Sequence, residues 1–394
     1  MKKLKIVRII ARLNIGGPAQ NVVFLTQGLN NDKFESILLS GNSSKMEGDM
    51  IYLAKERNMQ LRLIPELVRE LSFFKDTMAF LKILTFLFKE KPDIVHTHTA
   101  KAGALGRAAG FLYKVFGNRD LKLVHTFHGH VLEGYFGKLK NQIFIQIERI
   151  LALFTDRIIV VSEAIREDLL RLGIGTTDRI VVIRLGLELE KFFNIQDNAT
   201  SNNRIRVGIV GRLVAIKNHK FFIDVADLYL KLFPDFPIHF YIIGDGELRL
   251  ELIKYVEGLG LSHSISFTGW EKDLVKVYSN LDIVCLTSLN EGTPVSIIEA
   301  LASGKPIVST NVGGIKDIVK PVCDQLGINE SIILVEPGDK ERFVDALRYF
   351  AANRHMRNSF GEKGRTFVQN NFLKERLIKD MDLLYTTISK RSEL

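Results

Sequence analysis

Cysteine is scarce in this chain of 394 residues, and the sequence has no long apolar run. The two cysteines, Cys285 and Cys323, cannot form a disulfide framework and suit a reducing compartment. The longest apolar candidate, residues 77–88, contains a lysine and falls short of the roughly 20 apolar residues that a membrane-spanning helix needs. Arg8 and Arg12 interrupt the apolar segment near the start, which favours a first strand over an export signal. We therefore expect a cytoplasmic protein without a membrane span.

Metal-binding motifs are missing as well. The chain has neither cysteine pairs with zinc-ligand spacing nor an H-E-x-x-H motif. Histidines stand at two predicted strand ends: His96, His98, His125, His128 and His130. A substrate contact is favoured over a zinc site for these residues, and a hydrogen-bonded place in the core is the alternative for His96 and His125. The one Asp-x-Asp pattern, residues 380–382, falls on the last predicted helix, where a solvated face explains it. No metal and no bound cofactor are expected.

Positive charge is concentrated in the first half of the chain. Residues 1–190 hold 28 Lys and Arg against 20 Asp and Glu, whereas the remainder holds 26 against 25. This bias indicates an acidic partner or an anionic membrane surface, with unbiased scatter as the equal alternative. A predicted helix over 73–89 carries Lys75, Lys82 and Lys89 among apolar residues, which fits reversible docking on anionic lipid at the cytoplasmic face of a membrane. No nucleic-acid partner is expected.

The order of predicted elements indicates an α/β protein. The length favours two domains, and short apolar strands alternate with helices in both halves. This alternation predicts two Rossmann-like domains with parallel sheets. The expected boundaries are 1–187 for the first domain, 188–203 for a polar linker, 204–370 for the second domain and 371–394 for a final helix.

One stretch of the second domain combines several signals for an anion site. Residues 281–287 predict a buried strand, and residues 290–292 predict a loop. Thr293 is then the expected N-cap, Pro294 the first residue of a helix that runs to about residue 302, and Gly304 its end. A strand, a short loop and a helix N-terminus together offer free backbone N–H groups and a favourable dipole to an anion.

Two glutamates flank this predicted anion site. Helix geometry separates Glu291 from Glu299 by roughly 9 Å, about the length of a diphosphate with a sugar hydroxyl pair at each end. Each carboxylate could accept two hydrogen bonds from a vicinal diol, while the helix amides bind the phosphates. The alternative is a solvated loop glutamate and an unrelated helix glutamate.

Two other strand ends carry candidate phosphate-binding residues. Gly16 and Gly17 precede a helix with an early proline, so a ligand could approach the backbone closely. A plain strand-to-helix turn is the alternative, and the G-x-G-x-x-G spacing of a dinucleotide site is absent. Arg212 and Lys217 follow a strand of the second domain at a spacing that lets both bind a departing diphosphate. Ordinary surface charges are the alternative for this pair.

Together these residues resemble the retaining nucleotide-sugar glycosyltransferases of family 4, which have the GT-B fold. The resemblance covers nearly the whole chain and is carried by these segments: Gly16-Gly17, residues 125–130, Gly211-Arg212 with Lys217, residues 244–246, Gly269, and Glu291 with residues 299–306. It implies two Rossmann-like domains that face each other across a cleft, and a C-terminal helix that packs on the first domain.

The family implies a role for each matching residue. Glu299 would hold the ribose hydroxyls, Glu291 the transferred sugar, and Trp270 would border the base, while His128 would contact the sugar near the reacting carbon. The implied donor-binding set is Gly16, Gly17, Arg212, Lys217, Gly244, Trp270, Glu291, Gly292, Thr293, Pro294, Val295 and Glu299. The implied catalytic set is His128, Glu291, Arg212 and Lys217. The usual Phe-Gly-Leu is replaced here by residues 293–295, which leaves the choice of sugar open.

The resemblance implies a metal-independent transfer of a hexose or N-acetylhexosamine from a UDP-sugar, with retention of configuration. UDP is favoured by its frequency in the family. Residues 99–107 and 129–136 are similar to members that build cell-surface polysaccharides, so the expected acceptor is lipid-linked or a saccharide. Two alternatives remain: a UDP-sugar epimerase or hydrolase of the same fold, and a non-catalytic nucleotide-sugar-binding or scaffold protein.

Overall fold

The computed structural model describes residues 3–14, 16–42, 50–57, 59–68, 70–129, 138–195 and 204–390. The chain divides into two compact units. Unit 1 contains Met1–Leu187 and Lys374–Leu394, and unit 2 contains Glu188–Leu373. The part of the predicted linker that is described, residues 188–195, is therefore counted with unit 2. Within the described ranges, every helix is too short or too polar to cross a membrane.

Unit 1 is built on a parallel sheet. Its strands are β1 (Leu4–Arg12), β2 (Phe34–Gly41), β3 (Gln60–Leu63), β4 (Ile94–His98), β5 (Lys122–Phe127), β6 (Arg157–Val160) and β7 (Ile180–Val182). Their order across the sheet is β3-β2-β1-β4-β5-β6-β7. The sequence predicted shorter strands at 93–95 and 122–125. Because β4 continues to His98, His96 and His98 lie within a strand rather than beyond it, and β5 extends past His125, the end of the predicted strand, to Phe127.

Helices cover both faces of this sheet. They are α1 (Gly17–Gly28), α2 (Ile51–Glu56), α3 (Phe73–Glu90), α4 (Ala100–Phe116), α5 (Lys138–Leu153), α6 (Glu163–Arg171) and the C-terminal α15 (Lys374–Lys390). Successive strand side chains point to opposite faces of a sheet. Accordingly, Val7 and Val95 pack with α3 and α4, whereas their neighbours Ile6 and Ile94 pack with α1 and α15.

The last helix of the chain completes the core of unit 1. Leu377, Met381, Tyr385 and Ile388 of α15 are buried in one cluster with residues of β1, β4 and α1. The backbone N–H of Lys374 donates to the carbonyl of Leu187 at 3.1 Å, which joins the start of this helix to the same unit. The expectation that the C-terminal helix packs on the first domain is confirmed.

Unit 2 repeats the same architecture. Its strands are β8 (Ile205–Val210), β9 (Ile238–Ile243), β10 (Ile265–Gly269), β11 (Ile283–Leu286), β12 (Ile307–Thr310) and β13 (Leu334–Val335), in the order β10-β9-β8-β11-β12-β13. Its helices are α7 (Glu190–Phe193), α8 (His219–Leu232), α9 (Arg249–Gly258), α10 (Leu274–Ser279), α11 (Val295–Ala302), α12 (Lys316–Leu326), α13 (Lys340–Ala352) and α14 (Arg354–Asn371), with short 3₁₀ turns at Ala215–Lys217, Gly313–Ile315 and Glu330–Ile332. All strand pairs are parallel, as the alternating pattern predicts.

A buried ion pair joins α4 to α5 in unit 1. The Arg107 side chain is fully buried, and its Nη2 donates to Oε2 of Glu148 at 2.6 Å, while its Nε donates to the carbonyl of Gly103 at 2.9 Å. Burial lowers the pKa of Arg107, and the negative charge of Glu148 opposes that shift. A carboxylate partner is what makes a buried guanidinium tolerable at this position.

We expect Glu148→Ala to destabilise unit 1 by about 3–5 kcal/mol, because it leaves a buried cation without a partner. Native-state amide hydrogen exchange in α4 and α5 measures the loss. Glu163→Ala is the control, since it breaks a solvent-exposed pair with Arg166 that is worth less than about 1 kcal/mol. Equal effects of the two substitutions would contradict the assignment of the Arg107 pair as a core element.

Candidate functional site

Neighbouring strands of unit 2 bring the predicted donor-binding segments to one edge of the sheet. β9, β8 and β11 are adjacent and parallel, so their carboxyl ends lie together. The turn 211–218 follows β8, Gly244 follows β9, and the loop 287–294 follows β11. Trp270 follows β10 and is 53% exposed. Ligands of open parallel sheets bind beyond this edge, so these segments are correctly placed for a common ligand.

The turns at this edge approach each other too closely for side chains. Gly244 has φ +138, and a Cβ at this position would lie 2.0 Å from the carbonyl oxygen of Gly211. Its amide donates to the carbonyl of Gly269 at 2.9 Å. Glycine is therefore required here by both the backbone conformation and the contact. Arg212, next along the first turn, is exposed.

The helix after β11 begins one residue later than the sequence predicts. α11 starts at Val295, Pro294 is its N-cap with φ −73 and ψ 114, and no side chain caps it. The hydroxyl of Thr293 is buried and has no hydrogen-bond partner among the described residues. The prediction of Thr293 as cap and Pro294 as first helical residue is wrong, because Pro294 keeps an extended backbone. The first amides of α11 remain open to an anion, and Gly304 has φ +70 just beyond the helix end, as predicted.

Glu291 is held by two side chains from adjoining turns. Its Oε1 accepts a hydrogen bond from Nζ of Lys217 at 2.5 Å and from Oγ of Ser288 at 2.6 Å. Gly313 has φ +55 and packs so closely on the Glu291 backbone that a Cβ there would lie 1.7 Å from the Glu291 carbonyl oxygen. The structure thus brings two predicted site residues, Lys217 and Glu291, into direct contact and fixes the position of the carboxylate.

Glu299 lies on α11 in a different environment. Its Oε2 accepts a hydrogen bond from the hydroxyl of Tyr278 at 3.0 Å, and Tyr278 is fully buried. Burial raises the pKa of Glu299 to about 7, and the Tyr278 hydrogen bond and the positive charge of Lys191 oppose the shift. The carboxyl group is therefore partly protonated near neutral pH, although the side chain retains some contact with solvent.

The sheet edge of unit 1 carries a cluster of neutral imidazoles. Nδ1 of His98 lies 3.0 Å from Nε2 of His128, and the two rings stack. Burial lowers the pKa of His128 to about 4 and holds the pKa of His98 well below its usual range. Thr99, which follows β4, has φ 67, a conformation that is rare for a β-branched residue. Strain of this kind is concentrated at functional sites.

His96 and His125 take structural places in the same sheet. The ring nitrogens of His96 contact the hydroxyls of Tyr385 at 2.6 Å and Thr126 at 2.7 Å. Nδ1 of His125 contacts the hydroxyl of Thr97 at 2.8 Å. The prediction of hydrogen-bonded core histidines at these two positions is confirmed. Gly16 and Gly17 lie at the same edge, where Gly16 is the N-cap of α1 and no side chain caps that helix.

Two residues of the unit 2 site were not predicted from the sequence. Ser288 stands three residues before Glu291 in the same loop, so its spacing offered a signal. Tyr278 stands 21 residues from Glu299, and no local pattern connects them. His130 and residues 131–136 of the predicted acceptor segment lie outside the described residues.

Unit 2 is thus an α/β domain with an uncapped helix start between two carboxylates at the edge of its parallel sheet, an arrangement that suits an anionic ligand. The chain matches Glycosyltransferase Family 4 over residues 15–191 and Glycosyl transferases group 1 over residues 190–367. It belongs to this family of glycosyltransferases.

Individual relatives support this assignment. The chain is 30% identical over 331 residues to the UDP-Gal:alpha-D-GlcNAc-diphosphoundecaprenol alpha-1,3-galactosyltransferase of Escherichia coli, covering 81% of this chain and 80% of that protein. It is 24% identical to the capsular polysaccharide biosynthesis glycosyltransferase CapM of Staphylococcus aureus, covering 91% and 98%. The solved structure of Anabaena Alr3699/HepE in complex with UDP matches with a TM-score of 0.77 at 17% identity, covering 98% and 100%. The predicted GT-B fold class is confirmed.

We expect ionisation of Glu299 to lower the stability of unit 2 as the pH rises from about 5 to 8. Below about pH 6.5 the buried His219 of the same unit, whose pKa burial lowers to about 4, contributes in the opposite direction. The pKa of Glu299 in the folded chain, about 7, lies above its ordinary value of 4.5. The group therefore stabilises the fold fully below pH 4.5, and this contribution is lost as the pH rises through 7. Urea unfolding monitored by the fluorescence of Trp270, the one tryptophan of the chain, measures the effect in unit 2.

Glu299→Gln should remove this contribution, because an amide does not ionise, so the difference in unfolding free energy between the variant and the parent chain should change between pH 5 and 8. Glu257→Gln on the exposed surface of α9 is the matched control, and its difference from the parent should not change with pH. A difference for Glu299→Gln that stays constant with pH would contradict titration of Glu299 in this range.

Proposed function

We propose that this protein is a retaining glycosyltransferase that moves a hexose or an N-acetylhexosamine from a UDP-sugar to a lipid-linked or saccharide acceptor in cell-surface glycan synthesis. The carrying observation is the uncapped start of α11 with Glu291 ahead of it and Glu299 within it. The names of the relatives support the substrate class, since the Escherichia coli protein is named for UDP-Gal and a diphosphoundecaprenol acceptor. The Anabaena neighbour binds UDP.

The donor would be held in unit 2 by charge and by backbone amides. The N–H groups at the start of α11 would bind the diphosphate, and Glu299 in its ionised form would accept hydrogen bonds from the ribose hydroxyls. Lys217 contacts Glu291 in the structure. Lys217 and the exposed Arg212 lie in the same turn, at the edge of the sheet where β8 ends. On donor binding, both cations would face the diphosphate, which frees Glu291 to hold the transferred sugar.

The transfer would proceed on one face of the sugar. The bond from the anomeric carbon to the leaving phosphate oxygen breaks while the acceptor oxygen bonds to the same face, and the acceptor proton passes to that phosphate oxygen. The negative charge that develops on UDP would be stabilised by Arg212, Lys217 and the α11 amides in place of a metal ion. Preorganised donors of this kind lower the barrier because they need no reorientation during the reaction.

The remaining predicted residues keep the roles that the family resemblance gives them, as part of this proposal. Gly244, Gly292, Thr293, Pro294 and Val295 would line the donor, and Trp270 would border the base. In unit 1, Gly16 and Gly17 would approach the diphosphate, and neutral His128 would donate a hydrogen bond to the sugar rather than act as an acid. We place the protein in the cytoplasm, attached peripherally to the inner face of the membrane.

The direct test is a transfer assay in EDTA. The protein is incubated with UDP-galactose, UDP-glucose or UDP-N-acetylglucosamine and with N-acetylglucosaminyl-diphospho-polyprenol, and the product is analysed by proton NMR. We expect one donor to give an α-linked product without added metal. A β-linked product would exclude retention, and a requirement for Mg²⁺ would exclude the metal-independent mechanism. UDP release or sugar isomerisation without an acceptor would identify a hydrolase or epimerase.

We expect substitutions at Glu291 and Glu299 to change different kinetic constants. Glu291→Gln should lower kcat by about 100-fold with a small change in KM, because it removes a charge near the reacting sugar. Glu299→Ala should raise KM for the donor by about 10- to 100-fold, the loss expected for hydrogen bonds to a charged group. Steady-state kinetics with Glu257→Gln as control measures both. Equal and small effects at the two positions would contradict these roles.

A further inference from the structure

Large apolar side chains are exposed mainly on one helix layer of unit 1. Of the 20 exposed large hydrophobic residues among the described ones, 12 lie on α3, α4 and α5. These helices cover one face of the sheet, with α4 packed between α3 and α5. Clusters of this kind mark interaction surfaces, whereas single exposed apolar residues do not. We call the solvent-facing side of α3, α4 and α5 the three-helix face.

The first part of this face is a stripe along α3. Phe74, Met78, Leu81 and Phe88 recur at helical spacing and are all exposed, the first of them by 85%. Such a stripe normally faces the core. Here the core side of α3 is formed by another set of residues, Ala79, Ile83 and Leu87, so the helix is apolar on both sides.

The second part is a stripe along α5. Ile143, Ile147, Ile150 and Leu153 also recur at helical spacing and are exposed. Aromatic contacts pack both outer helices against α4. Phe88 of α3 contacts Tyr113 of α4, and Phe111 of α4 contacts Phe154 after α5, at centroid distances of 5.2 and 4.7 Å. α4 adds exposed apolar side chains of its own, Phe111, Val115 and Phe116, so all of these exposed apolar residues lie on one layer of packed helices.

The charge on this surface has one sign. Each acidic residue of the three helices is already neutralised by a basic one: Asp76 by Lys101, Glu90 by Lys5 and Glu148 by Arg107. Lys75, Lys82 and Lys89 are exposed beside the α3 stripe at intervals of seven residues. Lys75 and Lys89 have no ionic partner among the described residues. Apolar side chains flanked by unpaired lysines complement an anionic lipid surface.

The arrangement of the helices is also compatible with contact along a bilayer. The parallel sheet makes α3, α4 and α5 run in the same direction, antiparallel to the strands, as one layer. The 18 residues of α3 extend about 27 Å. All three helices begin at the sheet edge where His98 and His128 lie.

We propose that the three-helix face docks on the surface of a bilayer that contains anionic lipid. Its apolar stripes insert at the level of the acyl boundary, and the α3 lysines bind the lipid headgroups. This proposal deepens the proposed membrane attachment, on which it rests, by naming the surface and the lipid. It also extends the contact from α3 to α5. The docked face would bring the His128 edge of unit 1 close to lipid-linked molecules in that bilayer.

The test is co-sedimentation of the full chain with vesicles of phosphatidylcholine, with or without phosphatidylglycerol. We expect binding to the anionic vesicles at low salt and its loss at high salt, because salt screens the lysines. Leu81→Glu and Ile147→Glu should each weaken partition by about tenfold or more, as expected for loss of a buried apolar side chain and gain of a negative charge. Leu81→Lys should retain more binding than Leu81→Glu.

Leu383→Glu is the matched control, since Leu383 is exposed on α15 of the same unit but outside the three-helix face. It should leave partition unchanged. Absence of vesicle binding, equal binding to neutral vesicles, or no effect of Ile147→Glu would overturn the proposal. A dimer detected by sedimentation velocity and dissociated by Leu81→Glu would also overturn the proposal, because the three-helix face would then bind a second copy of the chain.

The vesicle result and the catalytic result are independent. Release of UDP from UDP-sugars with a water-soluble acceptor is measured without vesicles for the same variants. Intact transfer without vesicle binding would overturn the three-helix face alone. Vesicle binding without transfer to either the water-soluble acceptor or the lipid-linked acceptor of the direct test would overturn the proposed glycosyl transfer and leave the docking surface standing.

Discussion

Glu291 accepts hydrogen bonds from Ser288 of its own loop and from Lys217 of the turn after β8, and the Lys217 bond connects turns that follow different strands. The backbone repeats this connection, since the amide of Leu289 donates to the carbonyl of Ile216 at 2.9 Å. Thr287 adds a third link, because its hydroxyl lies 3.1 Å from the carbonyl of Lys217. The two turns are thereby held together by the fold before any ligand arrives. Donor binding then needs only the Lys217 side chain to change partner, while the backbone of the site keeps its arrangement.

Local patterns were sufficient to predict the parallel sheets, the final helix and the segments at the strand ends. They were not sufficient for the exact start of α11. Proline fixes φ near −65° both at an N-cap and at the first helical position, so the sequence alone does not distinguish the two. The difference lies in ψ, which is 114° at Pro294 and is set by how the preceding loop packs. Thr293 consequently does not cap α11, although threonine is a common N-cap residue.

Contacts between residues far apart in the chain could not be predicted from the sequence, for a different reason. Tyr278 of α10 reaches across to α11, where its hydroxyl bonds to the Ser296 carbonyl and the Glu299 carboxylate, and burial moves the pKa of that carboxyl to about 7. Spacing along the chain contains no information about such burial. The same holds for His98, the last residue of β4, and His128, which follows β5: they come into contact only once the sheet forms, and burial then lowers the pKa of His128 to about 4. The residue types indicated the chemistry, but the pKa values of these side chains depend on their burial in the folded chain.

The last helix also has a consequence for biosynthesis. α15 packs on the face of the first sheet that includes Ile6 and Phe34, and the hydroxyl of Tyr385 contacts His96 at 2.6 Å. A ribosome delivers these residues only after the whole of unit 2. During translation, the amino-terminal sheet therefore lacks this part of its cover until the later unit has been synthesised. Apolar surface exposed in this way makes a nascent chain prone to aggregation, and premature termination before α15 would leave it uncovered.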